Sequence, residues 1–527
     1  MKILINKLVK RVYISKLNFH EKNFINFCKK KINNNNLIKK NQKINVDNKI
    51  LINIYPDYYS AFNTFLLLLD KKFVNLQKIG IWTHVQFLNK NSNSFILFPV
   101  RFIFDYLDYL KWKNIYKALG VDIFYNFSFP RLFINYFYIF RIINLVNSKQ
   151  KLITLKIKNI LVGTTLYDTY MRFSKKPTFD PKDKFLLFQL ISSTLKFIYK
   201  LDFIFSKFKN IKYYLSPLSC YIQYGIPVRY LVNKGIICYG GKNFSQYVKQ
   251  YSKKDYSHLG YYPDYKRDFE KLSKKKNKIQ IAKNFLQLRI CGQKTRSEFY
   301  MKESSFHNKK NLNYLNIPTS IDGIIFLPDF VDAPHLRGKL IFCDFYDFII
   351  FTLNFFRSYK KINSNFKIAI KPHPNSKMND SIFINELKDF YPDFIWIPEN
   401  ISNKEIYKLK PYFGISPDGT PLIELTYFNV IAISVGRSPF SSFNYIYEAK
   451  NVSHYLSILK SICKRKLKFK KKYKNQIYAN YYMHYLHNKD KFTNYSRLID
   501  LRENIIDSDS SLFLTKVINK INKSKII

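Results

Sequence analysis

Apolar positions along the chain fall into two kinds of run. Short apolar blocks that stop at Pro, Gly or a small polar residue match strands buried on both faces of a parallel sheet. Longer stretches with apolar residues at three- and four-residue spacing lie between them and predict helices. The clearest alternation puts strands at Ile324–Leu327, Phe366–Ile370, 394–397, Tyr412–Ser416 and Val430–Val435. Between them it predicts helices at Phe342–Arg357, with Asp344 as its cap, and at about 379–390, 402–409 and 420–428. In the first half, strand blocks recur at Ile50–Tyr55, Ile79–Trp82, Phe95–Phe98, Ile160–Val162, Tyr213–Leu215 and Ile236–Tyr239. Such alternation predicts an α/β protein built of doubly wound, Rossmann-like domains. Residues 241–318 are polar, Lys-rich and weakly periodic, which reads as peripheral helices and a connection, with a domain break between about 305 and 322. Four segments follow: a basic, weakly packed N-terminal arm (1–48), a first domain with its linker (49–318), a second domain (319–460) and a basic helical tail (461–527).

In open α/β sheets, ligands sit outside the carboxyl ends of the strands. The loops placed there carry most of the candidate chemistry. Asp329, Asp332 and His335 follow the first strand of the second domain. Two carboxylates and an imidazole suit general acid–base work on a hydroxyl and a departing group; metal ligation and ordinary loop capping are the competing readings. In IKPHPN, Lys371 and His373 follow a strand while Pro372 and Pro374 fix the turn. Lys offers a point charge for phosphate, and His a donor or a general acid. In PDGTPLIEL, Gly419 and Thr420 open a helix with Pro421 in its first turn, and the exposed N–H groups and dipole there suit a phosphate. Glu424 lies one turn along the same face, where a carboxylate can accept hydrogen bonds from a ribose diol. Asp418 and Arg437 share these loops. The first half offers Tyr167, Asp168 and Arg172 after one strand, and Ser216, Ser219, Tyr221 and Arg229 after another, read equally as an anion site or as helix caps. Asp57 and Asp168 are alternative bases. No Walker A, GxGxxG, CxxC or zinc pattern occurs, so no metal is expected. Asp507-Ser508-Asp509 matches a DxD metal pattern but sits in a polar tail and is set aside.

Composition adds an electrostatic constraint. Among 527 residues, 88 Lys and Arg face 36 Asp and Glu, a formal net charge of +52. Hydrophobic content of 47% excludes a disordered chain. The charge points to an anionic partner, although Lys, Asn, Ile, Phe and Tyr are overused together, as AT-rich codons would produce. The basic run at 464–474 reads as a solvated face. Six scattered cysteines predict a reduced, cytoplasmic protein. The N-terminal MKILINKLVKRVYISK is too short in apolar run for a secretory signal. No membrane span is expected; Phe133–Val146 comes nearest, and Arg141 interrupts it. Tyr106–Tyr116 and Leu132–Val146 interleave aromatics with Lys and Arg, a pattern of core stripes or of helices resting on an anionic bilayer.

The segments FLPDFVDAPHLRG, CDFYDFIIFTL, IKPHPN, DGTPLIEL and VIAISVGRSPF, with VGTTLYDTYMR and YIQYGIPVRYLVNKG before them, resemble a family across roughly residues 50–460. It is the bacterial capsule and surface-polysaccharide glycosyltransferases of GT-B type, a group that includes Kdo transferases and, more distantly, CDP-glycerol glycerophosphotransferases. The resemblance implies two Rossmann-like domains facing a cleft, with a nucleotide-sugar donor held mainly by the second. His373, Gly419, Thr420 and Glu424 would then bind the donor; from their places after strands, Lys371 joins them and Asp332, His335 and Asp329 are expected to carry the chemistry. Asp418 and Pro421 stand where the family more often has smaller or different residues. It further implies a glycan or glycolipid acceptor and a metal-independent transfer with no cofactor beyond the donor. Apart from the resemblance, the basic arm and the Lys/aromatic helices, with no transmembrane run, lead us to expect a protein working peripherally at the inner face of the cytoplasmic membrane, with no nucleic-acid partner. Other readings are a polyol-phosphate transferase of the same superfamily, a basic nucleic-acid-binding protein, and a non-catalytic assembly partner that keeps the fold.

Overall fold

The computed structural model describes residues 16–38, 48–85, 94–127, 136–240, 248–256, 264–293, 304–307, 317–335, 339–374, 376, 382–469, 473–487 and 511–524. The chain forms two compact units, one of residues 1–170, 181–259 and 488–527, the other of 171–180 and 260–487.

The first unit holds β1 (Lys49–Ile54), β2 (Gln77–Trp82), β3 (Ile123–Asn126), β4 (Lys156–Ile157), β5 (Ile160–Leu161), β6 (Ile211–Ser216), β7 (Ile237–Gly240) and β8 (Lys249–Gln250). Six of these make one sheet in the order β3-β2-β1-β6-β7-β8, parallel except for the last pair. The chain winds outward from β1 to β3, then restarts on the other side at β6, so the strand order reverses between β1 and β6. Ile50, Leu51 and Ile52 are fully buried, which is why β1 lies at the centre. The helix Lys184–Lys207 is capped by Asp183 and buries Leu187, Leu190, Ile191, Leu195, Ile198 and Leu201 at helical spacing.

Several expectations for this half are corrected. Phe95–Phe98 is not a strand but the opening of the helix Ser94–Ala118, whose buried Tyr109, Trp112, Ile115 and Tyr116 extend the apolar pattern at helical period. Ile160–Leu161 lies outside the main sheet, in a hairpin with Lys156–Ile157. The arm is not weakly packed over Phe19–Ile38, since that helix buries Glu21, Phe24 and Cys28. The helix Leu512–Ser524 belongs to the same unit and buries Phe513, Leu514, Val517 and Ile521. Its Phe513 ring meets Phe62 at 6.0 Å, and Thr515 is 2.9 Å from His20 Nδ1. Asp507–Asp509 lies outside the described residues.

The second unit holds β9 (Gly323–Phe326), β10 (Ile368–Lys371), β11 (Ile395–Trp396), β12 (Phe413–Ser416), β13 (Ile431–Ser434) and β14 (Tyr447–Glu448). All are parallel, in the order β11-β10-β9-β12-β13-β14, with the reversal between β9 and β12. Alternation along β9 feeds two apolar layers: Ile324 packs with Leu422, Ile423 and Leu425, while Ile325 packs with Phe348, Ile370 and Phe413. The helix Phe345–Lys360 is capped by Asp344, as its sequence predicts. Tyr265, Phe269, Ala282 and Leu286, from helices expected in the connecting stretch, join the first of these layers, as do Ile477 and Ala479 from the expected tail. Residues 171–180 also count with this unit, where the Thr178 hydroxyl donates to the Asp344 carboxylate. Both units are therefore Rossmann-like, each with the outward-then-reversed strand order.

Candidate functional site

Loops at the carboxyl edge of the second sheet are tied to one another by named contacts. Asp329 Oδ1 accepts from the Val331 amide at 3.3 Å and from the Ser376 hydroxyl at 3.2 Å. The Ser376 amide donates to the His373 carbonyl at 3.0 Å, so the loop after β10 is held against the loop after β9. Asp332 donates its amide to the Asp329 carbonyl at 3.0 Å. Farther along the β9 loop, Leu340 bridges Gly436, and the Arg437 amide donates to the Lys339 carbonyl at 3.2 Å. Gly436 has φ +130°, and a Cβ there would fall 2.1 Å from the Lys339 carbonyl oxygen. Only glycine permits that approach. The buried Ser434 hydroxyl lies 3.1 Å from the Pro417 carbonyl and also reaches that of Gly436. The loops after β9, β10, β12 and β13 thus form one edge.

Beneath that edge lies a buried polar network. Lys371, the last residue of β10, is 1% exposed and donates to the Ile401 carbonyl at 2.7 Å and to Asn403 Oδ1 at 2.6 Å. Asn403 Nδ2 donates to Glu424 Oε2 at 2.9 Å. Glu424 Oε1 receives the Arg289 guanidinium at 2.6 and 3.2 Å, and Arg289 also donates to Thr420 Oγ1 at 3.1 Å. Arg289 and Glu424 are 1% and 0% exposed. Burial pushes Lys371 down to about 8, with the negative charges of Glu424 and Glu399 acting against the shift. Asn403 thus links the Lys371 cation to the Glu424 carboxylate that Arg289 pairs from the other side.

This geometry relocates two of the expected ligand contacts. Lys371 and Glu424 lie below the edge and are committed to protein partners. Glu424 is carried there because the helix Pro421–Tyr427 buries it together with Leu422, Ile423 and Leu425. His373, Gly419, Thr420, Asp329, Asp332 and His335 are half-buried in the edge loops. Among the described residues no group of three or more His, Cys, Asp or Glu is gathered as a metal ligand set. Arg289 and Asn403 were missed in the sequence. Arg289 had left a signal: it continues the apolar stripe Ala282, Leu286 on an otherwise basic helix, so its cation had to be buried.

In the first unit, the expected alternatives have structural partners. Asp57 caps the helix Tyr58–Leu68 by accepting from the Ser60 amide at 2.8 Å. Asp168 is 2% exposed. The buried Arg229 donates to the Leu161 carbonyl at 2.6 Å and to Thr164 Oγ1 at 2.7 Å. Burial lowers Arg229 to about 10, with the Asp168 charge opposing. The Ser216 hydroxyl is turned to the Leu218 carbonyl at 2.7 Å.

No family model matches the chain, and no curated protein matches it. Similar solved structures include a glycosyltransferase from Rickettsia africae ESF-5, at 8% identity over 86% of this chain and 96% of that one, with a TM-score of 0.27. The UDP-GlcNAc 2-epimerase of Methanocaldococcus jannaschii, bound to UDP-GlcNAc and UDP, is 8% identical over 86% of this chain and 98% of its own, with a TM-score of 0.28. The wall teichoic acid polymerase TagF is 10% identical over 98% of both chains, with a TM-score of 0.20. Likenesses this distant carry no argument about this chain, and its fold rests on its own strand orders.

Proposed function

We propose that this protein is a glycosyltransferase of GT-B type, moving a sugar from a nucleotide-activated donor to a capsular or surface polysaccharide or a glycolipid. One observation carries the reading: a single chain holds two Rossmann-order sheets, and the second gathers four loops at its carboxyl edge over a buried polar network. Nucleotides bind in open α/β sheets at the reversal of strand order. Here that point is flanked by the β9 loop with Asp329, Asp332 and His335 and by the β12 loop with Gly419 and Thr420. His373, Gly419 and Thr420 contact the donor's phosphates. Lys371 and Glu424 act from below, fixing the loops. Asp332 and His335 are this unit's candidates for proton transfer, while Asp329 orders the loop through Val331 and Ser376. The donor is a substrate, and no further cofactor or metal is assigned.

The acceptor is placed at an anionic membrane surface, to which the protein binds from the cytoplasmic side. The supporting feature is the helix Tyr136–Leu145, which buries Ile139, Ile142 and Ile143 but exposes Tyr136, Phe137, Phe140 and Leu145. No helix among the described residues is long and apolar enough to cross a membrane.

Calorimetric titration with CMP, CDP, UDP and GDP tests the reading. One nucleotide should bind, and His373→Ala should weaken it at least ~10-fold, the loss expected when a hydrogen bond to a charged group is removed. Absence of binding by all four removes the proposal. Selective CDP binding with transfer of a polyol phosphate would replace the sugar while keeping the site.

A further inference from the structure

Arg289 sits on the helix Lys275–Ile290, which packs Ala282 and Leu286 into the layer that holds Leu422, Ile423 and Leu425. Its guanidinium is therefore held against the start of the helix Pro421–Tyr427. Nε and Nη2 donate to Glu424 Oε1 at 3.2 and 2.6 Å, and Nη2 also donates to Thr420 Oγ1 at 3.1 Å. Thr420 precedes the helix at the place where a threonine hydroxyl usually accepts from an amide of the first turn. Here it caps no amide, and its backbone is already helical at φ −55° and ψ −25°. The hydroxyl oxygen serves Arg289 instead. A guanidinium only donates, whereas a hydroxyl carries one hydrogen and two lone pairs. Thr420 Oγ1 must therefore accept from Arg289, and its own hydrogen is directed away from that cation. No acceptor among the described residues takes this hydrogen. Thr420 itself is half-buried, in the loop at the carboxyl end of β12. A cation on the lone pair also polarises the O–H bond, which strengthens it as a donor.

We infer that Arg289 is a positioning residue for donor binding: from inside the second unit it holds the Thr420 hydroxyl so that its hydrogen goes to a phosphate oxygen of the nucleotide. The inference rests on the reading of Gly419 and Thr420 as phosphate contacts, and it adds the buried group that sets one of them. Arg289 does not touch the ligand. Glu424 has the matching part, since it neutralises the guanidinium and keeps its fork aligned on Thr420. A phosphate oxygen only accepts, so a threonine turned into a directed donor is the form it can use.

The test titrates the full-length protein calorimetrically with CMP, CDP, UDP and GDP, and then each variant with the nucleotide that binds. Arg289→Met with Glu424→Leu removes the guanidinium without stranding a buried charge, and its thermal midpoint shows whether it folds. Its affinity should fall at least ~10-fold, the loss expected when a hydrogen bond to a charged group is removed. Thr420→Val should cost a similar factor in the wild-type chain but under ~3-fold in the double variant, because the group that directs the hydroxyl is already gone. Thr420→Ser should recover most of what Thr420→Val loses. A merely structural Arg289 would lower the midpoint without this coupling to Thr420. Arg289→Lys is the second variant, for the case that the double one unfolds. It keeps a cation beside Glu424 but has a single nitrogen in place of the fork, and it should lose affinity to a similar extent. The positioning role is overturned, and the nucleotide site stands, if wild type binds and a folded Arg289 variant or Thr420→Val stays within ~3-fold of it, or if Thr420→Val costs the same in both backgrounds. If wild type binds none of the four nucleotides, the reading of the site falls and takes the role of Arg289 with it.

Discussion

Glu424 accepts from Arg289 on one oxygen and from Asn403 on the other, with no solvent to substitute for either. Removing one member of a buried ion pair strands the other charge and costs about 3–5 kcal/mol. Glu424→Ala should therefore lower the urea-unfolding free energy by that amount. The double change Glu424→Leu with Arg289→Met should recover most of it, because an apolar pair of similar volume carries no desolvation cost. Lys371 yields a pH prediction whose sign follows from burial. Its pKa is about 8 when folded, against 10.5 as the ordinary value. Between those values the unfolded chain binds more protons, so stability contributed at this site rises with pH. Below about 8 both states are protonated and the contribution is flat. The difference in unfolding free energy between wild type and Lys371→Met, measured from pH 7 to 10, should change in that direction, and a pH-independent difference would refute it. Lys371, His373 and Glu424 were legible as polar residues at strand ends and in a first helical turn. Their depth was not. It is set by Arg289, which lies 135 residues from Glu424 in sequence, and no local pattern encodes a pairing at that distance.

At the scale of elements, the second sheet was readable because its strands are buried on both faces and so appear as continuous apolar blocks. The strand at Ile123–Asn126 escaped because its four residues are only half-buried. The Ser94–Ala118 helix was misread at its start because a short aromatic block has no period of its own. Between β13 and the β9 loop, Gly436 is where two elements meet most closely. Gly436→Ala adds a left-handed strain of about 1–3 kcal/mol and a direct clash with the Lys339 carbonyl. It should lower the thermal midpoint and weaken nucleotide binding together, since the same bridge holds the β9 loop in place. A variant with unchanged midpoint and affinity would show that the bridge is dispensable.

For the molecule as a whole, the net charge of +52 and the aromatic face of Tyr136–Leu145 make a joint prediction. Vesicles containing anionic lipid should bind the protein, neutral vesicles much less, and Phe137→Glu with Phe140→Glu should reduce binding at least ~10-fold through lost apolar insertion and added repulsion. Raising salt from 0.1 to 1 M shortens the Debye length from about 10 to 3 Å and should release it. Binding indifferent to salt and to both substitutions would leave the charge without a membrane role. The two Rossmann-like units were legible as two runs of alternation, but their division was not a single cut, because the chain passes between them at 170, 180, 259 and 487. That winding sets an order of events during synthesis. The second unit's sheet and the helices packed on it are encoded by 487. The first unit starts earlier yet lacks the helix Leu512–Ser524, whose Phe513, Leu514, Val517 and Ile521 are buried in it. As the chain leaves the ribosome, the half made first must keep part of its apolar surface open until the helix Leu512–Ser524 emerges. In a cell it is therefore this half that stays open longer, and a chain stopped between 487 and 512 would carry a finished second unit and an unfinished first.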